Sequence, residues 1–170
     1  MKCAPRFELH TISDTAVSRQ QVAILFDECH DYFSLVEGCL PSGAQTEDFF
    51  TGIPEGFTVE DVLLHAVVVD DNWVGVTSLL KRWNRPDKCM LGLMLLSPPA
   101  RRSGLGRAVL ASLEQMVRED PTMRVLRVGV VVTNVAAMGF WRKMGFTETG
   151  EIKSRPEFVA PIIIFEKSLE

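Results

Sequence analysis

Three arginines and two glycines crowd into Arg101-Arg102-Ser103-Gly104-Leu105-Gly106-Arg107, between an apolar run, Cys89 to Leu96, and a helical pattern that continues to Arg118. Glycine lets a backbone come close to a ligand. Successive main-chain N–H groups can converge on one concavity, and the first turn of the following helix adds its positive dipole end. These residue types at this spacing suit a pyrophosphate or a similar anion.

The rest of the pattern narrows the choice. Read as G-x-G-x-x-G from Gly104, the stretch puts Val109 where a third glycine would let strand and helix touch. No strand-ending acidic residue follows at the dinucleotide spacing either. Read as a Walker A loop, it lacks the lysine after Gly106. What remains is R-x-x-G-x-G, with Pro98 three residues before Arg101. Further along, the apolar run Val128 to Thr133 precedes Asn134, Ala137, Phe140, Trp141, Lys143, Gly145 and Phe146. The first pattern resembles the acyl-CoA loop of the GNAT superfamily of acyl-CoA-dependent N-acyltransferases. The second resembles that family's N-x-x-A-x-x-F-Y-x-K-x-G-F signature, with Trp141 in place of the usual tyrosine. The two lie in the family's order.

The resemblance implies acetyl-CoA as the acyl donor and a primary amine as the acceptor, joined by direct attack in a ternary complex. Main-chain N–H groups from Arg102 through Ser103, Gly104, Leu105 and Gly106 to Arg107 would hold the pyrophosphate, with the side chains of Arg101, Arg102 or Arg107 adding charge. The acyl arm would pair with the exposed backbone of Leu95 and Leu96, and a main-chain N–H at Leu96 would polarise the thioester carbonyl, the oxyanion role. Asn134 would touch the arm; as an asparagine before a helix it also reads as an N-cap. Trp141 cannot replace the tyrosine as an acid, because an indole N–H does not titrate in this range; it would orient the sulfur or pack. Tyr32, the only tyrosine, is then a candidate acid or substrate contact, and its bland reading is a half-buried helix residue. An alkyl amine with a pKa near ~10 must lose a proton before attack. Asp27, Glu28, His30, Asp31, Glu47 and Asp48 are candidate bases, Asp31 first among them, and solvated surface acids are the alternative reading. A peptide or protein amine, or a sensor that binds acyl-CoA without turnover, stands as the alternative function.

Composition bounds these readings. The chain has 170 residues, 46% of them hydrophobic, which suits one filled domain spanning residues 1–170. Its net charge of −4 divides into −10 over residues 1–72 and +6 over residues 73–170. A basic C-terminal part suits a phosphate-bearing donor, and an acidic N-terminal part suits a cationic small-molecule acceptor. Dense basic stripes with interleaved aromatics are missing, so nucleic acid is not expected. No stretch reaches the ~20 apolar residues of a membrane span, and the N-terminus lacks a signal-peptide core; a cytoplasmic protein is expected. The cysteines Cys3, Cys29, Cys39 and Cys89 form no C-x-x-C pair, so reduced thiols and no metal are expected. A homodimer is compatible with all of this.

The elements that must position these residues follow from periodicity. Phe7 to Ile12 alternates as a strand, with Asp14 or Thr15 as a helix cap. Val22, Leu25, Phe26, Cys29, Phe33 and Val36 mark one amphipathic helix ending near Gly38, and Gln45 to Thr51 a short second one. Val62 to Val69 and Trp73 to Leu80 read as a hairpin, and Cys89 to Leu96 extends it. Leu105, Val109, Leu113, Met116 and Val117 form the buried stripe of a helix. Arg124 to Val132 reads as a strand, Asn134 to Lys143 as a helix, and Phe146 to Ile152 and Pro161 to Lys167 as final strands. This order implies an α/β (α+β) domain: one mixed, mostly antiparallel sheet of about six or seven strands with helices on both faces. Phe49, Phe50, Phe57 and Trp83 could wall an acceptor pocket or fill the core.

Overall fold

Segments rich in Val, Ile and Leu, punctuated by Asp- and Gly-bearing turns, assemble into one seven-stranded sheet in the computed structural model, which describes residues 5–170. The elements are β1 (Glu8–Thr11), α1 (Ala16–Glu28), α2 (His30–Val36), α3 (Gly43–Thr51), β2 (Val62–Val69), β3 (Asn72–Lys81), β4 (Lys88–Leu96), α4 (Leu105–Arg118), β5 (Val125–Val131), α5 (Val135–Lys143), β6 (Thr147–Lys153) and β7 (Ile162–Ser168). The sheet order is β1-β2-β3-β4-β5-β7-β6. Only β4 and β5 run parallel; the other neighbours are antiparallel. The β2–β3 hairpin turns on Asp70 and Asp71, both at positive φ (48° and 63°), the conformation that matches strand twist in a two-residue loop.

Alternation sends each strand's apolar residues to two faces. On one face, Val67, Leu79, Leu91, Leu126, Val128 and Phe165 pack under α4 and α5, which contribute Leu105, Val109, Leu113 and Trp141. On the other, Leu64, Ala66, Val68, Val76 and Leu95 meet Val22, Leu25, Phe26, Phe33 and Phe50 of α1, α2 and α3. A smaller cluster joins Val36 of α2 to Val131, Ile162 and Ile164.

The first helix departs from the sequence reading. Its apolar pattern runs on to Val36, but the backbone leaves helical geometry at Cys29 (φ −93°, ψ 24°), giving α1 and α2. No proline or glycine marks the break. The buried thiol of Cys29 turns instead to the Leu96 carbonyl at 3.5 Å, a tertiary contact. Thr15 takes the cap of α1, accepting from the Ser18 N–H at 3.1 Å. Cys3 lies outside the described residues; Cys29, Cys39 and Cys89 are free thiols.

Candidate active site

The parallel pairing of β4 with β5 is short. It joins Lys88–Leu91 to Val125–Val128 and stops; beyond that, Leu93–Leu96 pair only with β3, and Gly129–Val131 only with β7. The strands part where Gly92 bulges, since Ser78 faces Leu93 while Leu79 faces Leu91. The direction of the open backbone follows from the ladder. Ser97 N–H donates to the Val74 carbonyl at 2.8 Å, so the antiparallel alternation turns the polar groups of Leu95, opposite Val76, toward β3. Those of Met94 and Leu96 face the gap. Of the two residues proposed from sequence to offer backbone there, Leu96 does and Leu95 does not.

The loop after β4 enters α4 through unusual backbone. Arg102 has φ 58° and Gly104 φ 88°, and no atom lies within 4 Å of where a Gly104 Cβ would stand. The glycine is needed for its left-handed conformation and leaves open space on its outer side. Ser103 Oγ donates to the Ala100 carbonyl at 2.8 Å and accepts from Leu105 N–H at 3.3 Å, while Leu105 itself is buried and anchors the helix start. The helix ladder begins at Ala108, whose N–H donates to Gly104. The N–H groups of Gly106 and Arg107 therefore lack intrahelical partners at the positive end of α4. Arg102 and Arg107 are exposed and form no ion pair among the described residues.

Arg101 is used differently. Its Nε donates to the Leu96 carbonyl at 2.8 Å, and Nη1 and Nη2 reach the two carboxylate oxygens of Asp31 at 2.5 and 3.2 Å. That hydrogen bonding holds the Asp31 carboxyl below the usual carboxylate range. Asp27 and Asp31 fall on separate helices, α1 and α2, on either side of Cys29.

Helix α2 spans the gap. Near its start, Cys29 touches Leu96 at the end of β4. At its far end, Leu35 carbonyl accepts from Thr133 Oγ1 at 2.9 Å, Val36 carbonyl accepts from Val159 N–H at 3.0 Å, and Val36 packs on β5 and β7. Tyr32 lies between these anchors and touches both helix-side clusters. Its hydroxyl makes no hydrogen bond with the described residues. Burial, aided by the charge of Glu37, pushes its pKa up to about 12. Glu37 is half-buried, accepts from Gln45 Nε2 at 2.7 Å and has no cation partner among the described residues.

Asn134 is the N-cap of α5, its Oδ1 accepting from Ala137 N–H at 3.2 Å. Its Nδ2 has no partner among the described residues. Trp141 is 8% exposed and packs edge-on to Phe140 and Phe146, centroids 5.0 and 5.1 Å away, so it serves the core under α4 and α5. Phe49 and Phe50 likewise pack with Phe26, while Phe57 stacks on Trp83 at 5.7 Å, apart from the gap. Glu47, another candidate base, pairs with Arg19. Sequence reasoning did not single out Met94, whose backbone faces the gap, or Cys29, whose thiol reaches Leu96. Gly92 inside an apolar strand was the one available signal of a bulge.

Residues 28–146 match the model of the Acetyltransferase (GNAT) family. Among solved structures, an acetyltransferase from Thermus thermophilus superposes with a TM-score of 0.72 at 17% identity, covering 94% of this chain and 96% of that one. The ribosomal-protein-S18-alanine N-acetyltransferase from Escherichia coli gives 0.69 at 15% identity, covering 97% and 95%. The aminoglycoside acetyltransferase AAC(6')-Ib, solved with ribostamycin and coenzyme A, gives 0.73 at 15% identity, covering 95% and 93%. At these identities the likeness establishes the fold. No curated protein sequence matches the chain.

Proposed function

Because the chain belongs to the acetyltransferase (GNAT) family, we propose that it transfers the acetyl group of acetyl-CoA to a primary amine of a small cationic molecule, with both bound at once. The observation that carries this reading is the juxtaposition of an N–H cradle at the start of α4 with an open strand edge that begins at the Gly92 bulge. The residues fit the donor. Gly106 and Arg107 N–H groups and the free cations of Arg102 and Arg107 suit its pyrophosphate, and the backbone groups facing the gap suit its amide-bearing arm. When bound, the donor supplies an acyl thioester.

This chain's residues then have distinct tasks. Leu96 N–H lies nearest the loop, and its carbonyl is already held by Arg101. We assign it to gripping the arm. Met94 N–H lies two residues, about 7 Å, deeper along the strand and toward the bulge, where it would face the thioester carbonyl of a bound donor and stabilise charge there. On this reading the oxyanion role falls to Met94 rather than Leu96. The acceptor nitrogen must pass a proton to solvent water as its bond to the acyl carbon forms and the carbon–sulfur bond breaks. Tyr32, fully protonated at neutral pH, donates to the departing sulfur. Asn134 Nδ2 contributes a donor beside the arm while Oδ1 caps α5.

A cationic acceptor is supported by Glu37, a half-buried carboxylate held by a neutral amide and close enough to Tyr32 to raise its pKa. The acidic balance of the first 72 residues adds a long-range attraction. The test is thiol release from acetyl-CoA across a panel of amines. Amine-dependent release, fastest with di- and polyamines, is expected. Tight acetyl-CoA binding with no release from any amine would favour the sensor reading, and release only with peptides would move the acceptor class.

A further inference from the structure

We propose that Asp31 is a positioning residue of the acyl-transfer site: its carboxylate holds the Arg101 guanidinium so that Arg101 Nε stays on the Leu96 carbonyl, which fixes the open end of β4 and seats α2 above the gap. The proposal rests on the acetyltransferase reading for its kinetic consequence, and on geometry alone for the clasp itself.

All three guanidinium nitrogens of Arg101 are engaged, one at 2.8 Å on Leu96 and two on the separate oxygens of Asp31. Only a planar fork does this; an ammonium carries one charged nitrogen and cannot span strand end and helix together. The Leu96 carbonyl needs such a partner. It points into the gap, β5 does not reach it, and Leu96 is 9% exposed, so an unpaired oxygen there would bear a desolvation cost. Cys29 Sγ, the other group near it, is a weak donor at 3.5 Å. Arg101 thus does most of the satisfying, and Asp31 determines where Arg101 points.

Two consequences follow for the chemistry. The positive charge of Arg101 is matched by Asp31, which leaves the pyrophosphate to Arg102, Arg107 and the helix N–H groups. With the Leu96 carbonyl occupied, the acyl arm has one way to pair at the loop end of β4, through Leu96 N–H, so its register toward Met94 is single-valued. Asp31 neighbours Tyr32, and the same clasp therefore sets the height of that hydroxyl over the gap. Both Asp31 oxygens already accept from Arg101, which gives Asp31 a positioning role in place of a base role.

The discriminating experiment is a double-mutant cycle with Asp31→Asn, Arg101→Met and the pair, followed by kcat, by acetyl-CoA binding and by hydrogen exchange over residues 29–36. Each single variant is expected to lower kcat on the order of 10-fold while still binding acetyl-CoA, with the double variant no worse than the singles. The shape of the kcat pH profile should survive Asp31→Asn, and exchange in α2 should quicken equally in all three. Arg101→Lys should fail to restore the wild-type rate. Additive losses, an altered acidic limb in Asp31→Asn, or unchanged kcat and exchange would overturn the proposal. A wild-type protein that never releases thiol would defeat the acetyltransferase reading instead; the exchange cycle would still decide whether the clasp exists.

Discussion

Gly75 and Leu96 face each other across β3 and β4 so closely that a Cβ on Gly75 would lie 2.5 Å from Leu96 Cδ2 and 2.6 Å from the Leu95 carbonyl oxygen. They form a pair without mutual hydrogen bonds, the kind whose side chains approach most nearly. The absent side chain lets the end of β4 lie flat where its backbone serves the gap.

Gly75→Ala should therefore push β4 outward, since a backbone oxygen cannot swing aside as a flexible side chain does. We expect a stability loss of about 1–3 kcal/mol by denaturant unfolding. We also expect a fall in kcat/KM for acetyl-CoA larger than the stability loss explains at temperatures where the variant is folded. Unchanged kinetics would mean that the end of β4 does not contact the donor.

Gly104 separates conformation from ligand contact. Gly104→Ala meets no atoms but must hold φ 88°, a strain of roughly 1–2 kcal/mol for a residue with a Cβ. Gly104→Glu adds a carboxylate beside the cradle. Isothermal titration with CoA should show modest weakening for alanine and no detectable binding for glutamate. Equal effects would assign Gly104 to folding alone.

Tyr32→Phe removes a hydroxyl that makes no hydrogen bond among the described residues, so melting temperature should change little. The rate should fall about 10- to 100-fold, toward the low end of acid catalysis because a thiolate leaves readily. With its pKa pushed up to about 12, chiefly by burial, Tyr32 should remain a donor up to at least pH 10. A kcat within twofold of wild type would remove it from the chemistry.

His65 links stability to pH. It is 4% exposed on β2, with Thr77 Oγ1 at 3.4 Å from Nδ1, and burial lowers its pKa. Its folded value lies below the unfolded one near ~6.5, so the unfolded chain takes up the proton first. Stability from this group is complete above that pH and declines as the pH falls below it. Melting temperatures between pH 7.5 and 5 should show this decline, and His65→Gln should flatten it; identical profiles would show that His65 stays neutral in both states.

The conformation of the candidate anion loop was legible in linear sequence because it is local. The anion loop needs glycine at one left-handed position, arginines beside it and an apolar anchor, Leu105, to start a helix, and all of these fall within a few residues. Trp141 was also readable as a limit. Its indole cannot act as the acid, and it packs with Phe140 and Phe146. The contacts at the end of β4 resisted reading because their members meet only in space. Asp31 and Arg101 lie 70 residues apart, and nothing in either neighbourhood announces the other. Read from the sequence, Asp31 is a candidate base, and its ion pair with Arg101 becomes visible only in the fold.

Element order, helix periodicity and the glycine-arginine turn were set by the sequence alone, since each depends on residues a few positions apart: alternation, apolar spacing and the freedom of Gly104. Tertiary structure decided which backbone groups face the gap and where α1 ends. The first rests on the Gly92 bulge and the register of β4 against β3, because a shift of one residue turns every N–H to the opposite side. The second shows at Cys29, where the helical backbone breaks and the buried thiol lies against the Leu96 carbonyl 67 residues away.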